Sequence, residues 1–499
     1  MGKKKLVLAV TLALSASVFS LPVALAAEPQ AVQSVAGQMP PAPQTDENGN
    51  PLPPPDFGKG QPPAPPTDEN GRPLPPPNGV ASPQNMSGNL PAFGPAAGGQ
   101  TKSAAELTAQ KVVDGATEKL TDVTLAATAA DESAVLVRNG GSLSLTKGML
   151  SKTGDAVSAD ASNFSGANAV LLAADSKATL DNVLLTSDAD GANAVFATGE
   201  QAKIRAQHLR IHTKKDSSRG LDATYGGTIE AADVDITTEG AHCAALATDR
   251  GEGTVTVHDG TFQTSGAGSP NVYSTGRISV YDSQGQARGS EIAVVEGKNS
   301  IYFENVHLSG AKDHGIMLYQ SFSGDAGIGE AQFTAKDSGL TNLSDGPFFF
   351  VTNTKAIATL ENNELETKGD TLVKVAASRW GKTGANGGDF TLKAKHQHLS
   401  GKIVADSISE VTLDLGDGAA YVGAFNTENS AKAANLSLTK KASLMLTADA
   451  YVTAFSDART DFQNIKSRGH NLYYDAAAST ALGGKTYELP GGGKLLPKN

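Results

Sequence analysis

Residues Gly166–Glu200 read GANAVLLAADSKATLDNVLLTSDADGANAVFATGE. The letters GANAV open the stretch at Gly166 and return at Gly191, 25 residues later. Between the two copies, short runs of Val, Leu, Ala and Thr are broken by Asp, Asn, Ser and Gly. Such runs, with period-2 alternation and turn residues at their ends, predict short strands. A repeat of this length is one coil of a solenoid: a coil cannot bury its inward side chains alone, and stacking on the next coil does so.

The pattern extends in both directions. NAVFATG (193–199) aligns with RGLDATYG (219–226), CAALATDRG (243–251), PNVYSTG (270–276), IAVVEG (292–297), GIMLYQ (315–320) and FFFVTN (348–353). Each is followed by a second run, such as AKIRAQ, GTIEAADVDI, GTVTVHD and RISVYD. The spacings scatter around one coil length, with loops enlarging some coils. The expected fold is an all-β, right-handed parallel β-helix. At about 25 residues per coil it has roughly 14 coils, and at about 4.8 Å per coil a length on the order of 65 Å. A sandwich or propeller would need regular hairpins, and these are absent. The one helical candidate is SAAELTAQKVV (103–113), expected as a lead-in to the rod.

Three segments follow from this reading. Residues 1–26 predict a signal peptide: Lys3, Lys4 and Lys5 precede an apolar stretch, and Ala24-Leu25-Ala26 is a small-x-small cleavage site. Residues 27–102 predict a Pro/Gly-rich disordered stalk. It holds two 22-residue repeats, PPAPQTDENGNPLPPP from Pro40 and PPAPPTDENGRPLPPP from Pro62. The DENG of each begins like a calcium loop, but prolines stand where the later oxygen ligands belong. Residues 103–499 predict the β-helix with its closing segment. The expected location is therefore secreted or at the cell surface, with no membrane insertion after signal removal.

The chain has 41 Lys and Arg against 52 Asp and Glu; without the three signal lysines the balance is 38 against 52, or −14. That excess argues against nucleic acid as a partner. The single cysteine, Cys243, excludes an intramolecular disulfide, and its setting AHCAALA predicts a buried core residue. With 54 glycines and 5% aromatics the core must be narrow.

The wording of SRGLDATYGGTI (218–229), GAHCAALATDRGEGTVTV (240–257), GSEIAVVEGKNSI (289–301), HGIMLYQSFSGDA (314–326) and SDGPFFFVTNTKA (344–356) resembles a group of bacterial secreted β-helix, adhesin-like proteins. The C-terminal GHNLYYD and LGGKTYELPGGGKLLP resemble the closing segment of that group. The resemblance implies an exported β-helix and carries no catalytic residue.

Polar residues gather near the first strand of successive coils. Arg219, Tyr225, Asp249, Arg250, Glu296 and His314 form a candidate row for an extended ligand, a glycan or a protein. Tyr offers a stacking face, while Arg, Asp and Glu offer charge-assisted hydrogen bonds. Thr198, Thr224, Thr248 and Thr275 are expected as a ladder beside them. A secondary candidate is Trp380, in the Gly-rich loop SRWGKTGANGGDF. No cofactor or metal motif is present. The leading expectation is a non-enzymatic binding surface. The alternative is a polysaccharide-degrading enzyme: a hydrolase using a pair among Asp222, Asp249 and Glu296, or a lyase with Asp249 and Glu296 as calcium-binding carboxylates and Arg250 as base. DHGI (313–316) matches the polygalacturonase motif only faintly, lacking its first glycine.

Overall fold

The computed structural model describes residues 101–498. The expected signal peptide, the DENG motifs and nearly all of the Pro-rich segment lie outside the described residues. From Thr108 onward the chain is a parallel β-solenoid of about 16 turns. The count exceeds 14 because coils begin at Thr108 and tighten near the end: Leu413 pairs with Leu436 and Leu436 with Phe455, steps of 23 and 19 residues. Ser103–Val113 is not helical. A single turn from Ser103 to Glu106 leads into the strand Thr108–Asp114, which pairs in parallel with Glu132–Arg138. The β-branched Thr108, Val112 and Val113 favour that outcome.

One sheet of 12 strands runs along the rod, one strand from each successive coil. Its inward column is Leu171, Val195, Leu221, Leu246, Val272, Ala293, Ile316, Phe349 and Val373, all in register. The GANAV copies are themselves one residue out of register, because Leu171 and not Val170 faces Val195. Gly166 is spent as the left-handed cap of helix α1 (Ala159–Ser165), and Asn168 adds a second left-handed residue. The expected threonine ladder also divides. Thr224 bonds to Thr198 and Thr275 to Thr248, but Thr248 sits opposite Ala223.

The second sheet folds at a corner. In most coils a single residue with φ near +50° turns the chain there: Asp122, Lys147, Asn182, His208, Asp233, Asp259, Asp282, Asn305, Asp337, Asn362 and His396. Asp and Asn tolerate this region because their short polar side chains bond locally. The corner also measures the coils. Steps are 23 to 26 residues, except 35 from Lys147 to Asn182, 32 from Asn305 to Asp337 and 34 from Asn362 to His396. These three long coils hold α1, the loop 320–329 and the loop 376–388.

Candidate functional site

The outward face of the 12-stranded sheet is covered at two places. Toward its start, Leu136, Leu172 and Phe196 pack beneath α1 residue Ala161. Further along, Val294, Met317, Tyr319 and Phe350 pack with Trp380 from the third long coil. Between the two covers lies a pocket of about 170 Å³. All three long coils contribute to its walls: Asn163 and Phe164 from α1, Ser321, Ser323 and Asp325 from the second, Trp380 from the third. The sheet and its leading corner supply Arg219, His242, Asp249, Tyr273, Glu296 and Tyr319.

Two electrostatic clusters build the floor. In the first, the buried Arg219 donates to Asn163 Oδ1 at 2.9 Å and approaches Asp222 at 3.4 Å and Asp249 at 3.2 Å. One guanidinium thus faces two buried carboxylates. Burial, only partly offset by Arg219, pushes the Asp249 carboxyl up to about 8 and that of Asp222 to about 6. Asp249 therefore holds its proton near neutral pH. His242 is shifted downward by burial and by the neighbouring Arg219, so it is neutral there.

The second cluster centres on Glu296, which is 1% exposed. Its Oε2 accepts from the Tyr273 hydroxyl at 2.5 Å and the Tyr319 hydroxyl at 2.9 Å. Its Oε1 accepts from Ser321 and, at 3.4 Å, from Ser323. Burial and the Glu296 charge hold both phenols well above their ordinary range, so both stay protonated as donors. The loop carrying Ser321 and Ser323 is clamped by Arg250. That side chain donates twice to Asp325 Oδ1, at 2.9 and 2.6 Å, while its guanidinium lies 3.8 Å above the Phe164 ring. Phe322, 45% exposed, leans on Trp380 at the rim.

The sequence candidates divide accordingly. Arg219, Asp249, Glu296 and Trp380 line one pocket. Arg250 stands behind it and secures Asp325. Tyr225 lies elsewhere, in a shallow depression with Asp175, Gly199 and Glu200. His314 is also apart, stacked on Phe350 at 4.4 Å with Nδ1 3.2 Å from Glu291. The six do not form a single row, because the pocket lies over the outward faces of the strands and not along the turns that end them. Nor are Arg219, Asp249 and Glu296 at a solvated edge; all three are buried. Tyr273 and Tyr319 were missed. Their signal is positional: each alternates outward from an inward neighbour, Val272 or Leu318.

Among the described residues, no group of three or more His, Cys, Asp or Glu side chains is placed to hold a metal ion. No helix among them is long and apolar enough to cross a membrane. A scan against protein-family models and a search of curated proteins found no match to this chain.

Proposed function

We propose that this chain is an exported β-solenoid that recognises one unit of a glycan in the pocket over its 12-stranded sheet. One observation carries the proposal: three separately lengthened coils bring their extra residues to the same place. A solenoid needs none of these insertions for stacking. The lining suits a polyhydroxylated ring, with carboxylate, hydroxyl and guanidinium groups beside Tyr and Trp faces. The volume matches a single ring better than a long chain, so a glycan would engage by one unit. The resemblance to adhesin-like proteins and the signal-peptide pattern expected of residues 1–26 support the extracellular part of this reading.

The test is a glycan array probed with the wild type, Trp380→Ala and Tyr225→Ala. Binding lost in Trp380→Ala and kept in Tyr225→Ala supports the pocket. The opposite result moves the site to the depression around Tyr225.

Cleavage is a second reading: burial, only partly offset by Arg219, pushes the Asp249 carboxyl upward, the direction a general acid needs. Glu296 lies two coils further on along the same face, a backbone separation of about 9.6 Å by strand stacking. Release of reducing ends by the wild type, abolished in Asp249→Asn, would establish it.

A further inference from the structure

The charges around the pocket do not balance. Arg250 is matched to Asp325, and Arg219 alone serves both Asp222 and Asp249. Glu296 has four hydroxyl donors and, among the described residues, no Lys, Arg or His nitrogen within 4.0 Å. Within 4.0 Å these two cations meet three carboxylates and leave Glu296 with none, while a third cation, Arg379, lies 4.7 Å over the Trp380 ring. A buried carboxylate is costly unless a positive group accompanies it. Protonation of Asp249 relieves one excess charge. The carboxylate with no cationic partner within 4.0 Å among the described residues is Glu296, on the pocket wall.

The walls beside Glu296 are aromatic. Tyr273 and Tyr319 hold its Oε2, and Trp380 packs 5.3 Å from the Tyr319 ring. Aromatic faces attract large, weakly hydrated cations such as ammonium groups, and the attraction grows when water is excluded. A small hard metal ion would instead require several converging carboxylate or carbonyl oxygens, whereas the hydroxyls around Glu296 are neutral and already committed as donors to it.

We propose that the ligand of this pocket carries a positive charge, a sugar ring with a free amine whose ammonium sits against Glu296 beside Tyr273, Tyr319 and Trp380. The inference rests on the glycan reading above and adds the chemical class of the sugar. The ammonium replaces the missing counter-charge, and the ring hydroxyls meet Asp249, Ser323 and Asn163. N-acetylation would remove the charge and add bulk, so it should abolish the advantage.

The experiment is titration calorimetry of the full chain with three tetrasaccharides: one of glucosamine, one of N-acetylglucosamine and one of glucose. A fourth probe, N-acetyl-lysine methylamide, carries the ammonium without a sugar. The expected result is binding of the glucosamine oligomer about tenfold or more tighter than either neutral oligomer. Glu296→Gln should erase that preference, but the wild-type comparison decides the matter even if the variant fails to fold. Equal or tighter binding of a neutral oligomer overturns the ammonium inference and leaves the glycan reading intact. Glu296-dependent binding of the lysine derivative, with no binding of any sugar, upholds the ammonium site and overturns the glycan reading. No binding of any probe overturns both.

Discussion

Cys243 occupies a serine's place, and that can be tested by replacing it twice. Ser218, Cys243 and Ser269 precede the first strand in three successive coils and bond in one pattern. Ser218 Oγ accepts from Ala192 N–H at 2.9 Å and donates to Ala189 O at 2.7 Å. Ser269 Oγ accepts from Cys243 N–H at 2.9 Å and donates to Gly240 O at 2.9 Å. Cys243 Sγ accepts from Ser218 N–H at 3.0 Å and donates to Lys215 O at 3.2 Å. Cys243→Ser keeps both bonds with a stronger donor and a smaller atom, so stability should stay within about 1 kcal/mol of wild type. Cys243→Ala leaves the Ser218 amide buried without an acceptor, which costs about 1–3 kcal/mol. Hydrogen exchange is the right assay, because opening in a solenoid is local and a global midpoint can hide it. The Ser218 amide should exchange faster in the alanine variant and as slowly as wild type in the serine variant. The native thiol, pushed up to about 12 mainly by burial, should resist alkylation until the rod unfolds. A serine variant as damaged as the alanine variant, or a thiol labelled in the native protein, would refute the column.

Three further outcomes are expected. Leu221 is wholly buried in the inward column, so Leu221→Asp should lower stability by about 4 kcal/mol or more; an unchanged melt would show the strand turned around. Arg250→Ala removes the clamp on Asp325 and the contact with Phe164, so exchange should quicken across 320–329 while the rest of the rod is unaltered. Asp249 has a folded-state pKa of about 8, above its ordinary 3.8, so the fold retains a proton that the unfolded chain releases. The stability it contributes is full below pH 3.8 and lost as pH rises through about 8, with Asp222 acting in the same direction through about 6. Asp249→Asn should flatten that decline in chemical unfolding followed from pH 5 to 9, and an unaltered slope would place the proton elsewhere.

What the sequence made legible follows from what repeats in it. Val195, Leu221, Leu246 and Val272 meet nearly the same surroundings in successive coils, so similar letters recur and the inward column could be aligned by eye. The corner residues Asp233, Asp259 and Asp282 recur for an equally local reason, a backbone angle that few side chains tolerate. Helix α1 has only seven residues and no apolar stripe to announce it; Ser158 caps its start and Gly166 its end, and packing on Leu172 and Phe196 holds it. The register slip beside it was hidden for the same reason, since GANAV serves a helix cap once and a plain turn once. Arg219, Asp249 and Glu296 could be singled out as polar letters in otherwise apolar runs. Their burial could not, because it depends on walls contributed by residues as distant as Phe164, Asp325 and Trp380.

The same logic explains why the site lies where repetition fails. Regular coils present a uniform outer face, on which neighbouring charges pair from coil to coil, as Lys214 does with Asp188 and Arg205 with Glu230. Such pairs are exposed and contribute little. A pocket requires the sheet's face to be walled, and a parallel solenoid can add walls only by lengthening a coil between strands that must stay in register. The inward column continues across the long coils: Ile316 pairs with Phe349 across the second, and Val373 with Ile403 across the third, after a one-residue register shift at Leu372. The added residues are thus free of the stacking that constrains the others. They converge on a face where Asp222, Asp249 and Glu296 replace the apolar or small residues that other coils place outward. Burying Asp222 and Asp249 over one guanidinium, and Glu296 among hydroxyls with no cation among the described residues within 4.0 Å, costs stability. A stacking requirement explains the leucines and valines of this chain. It does not explain that cluster, and the ligand recognition proposed above would.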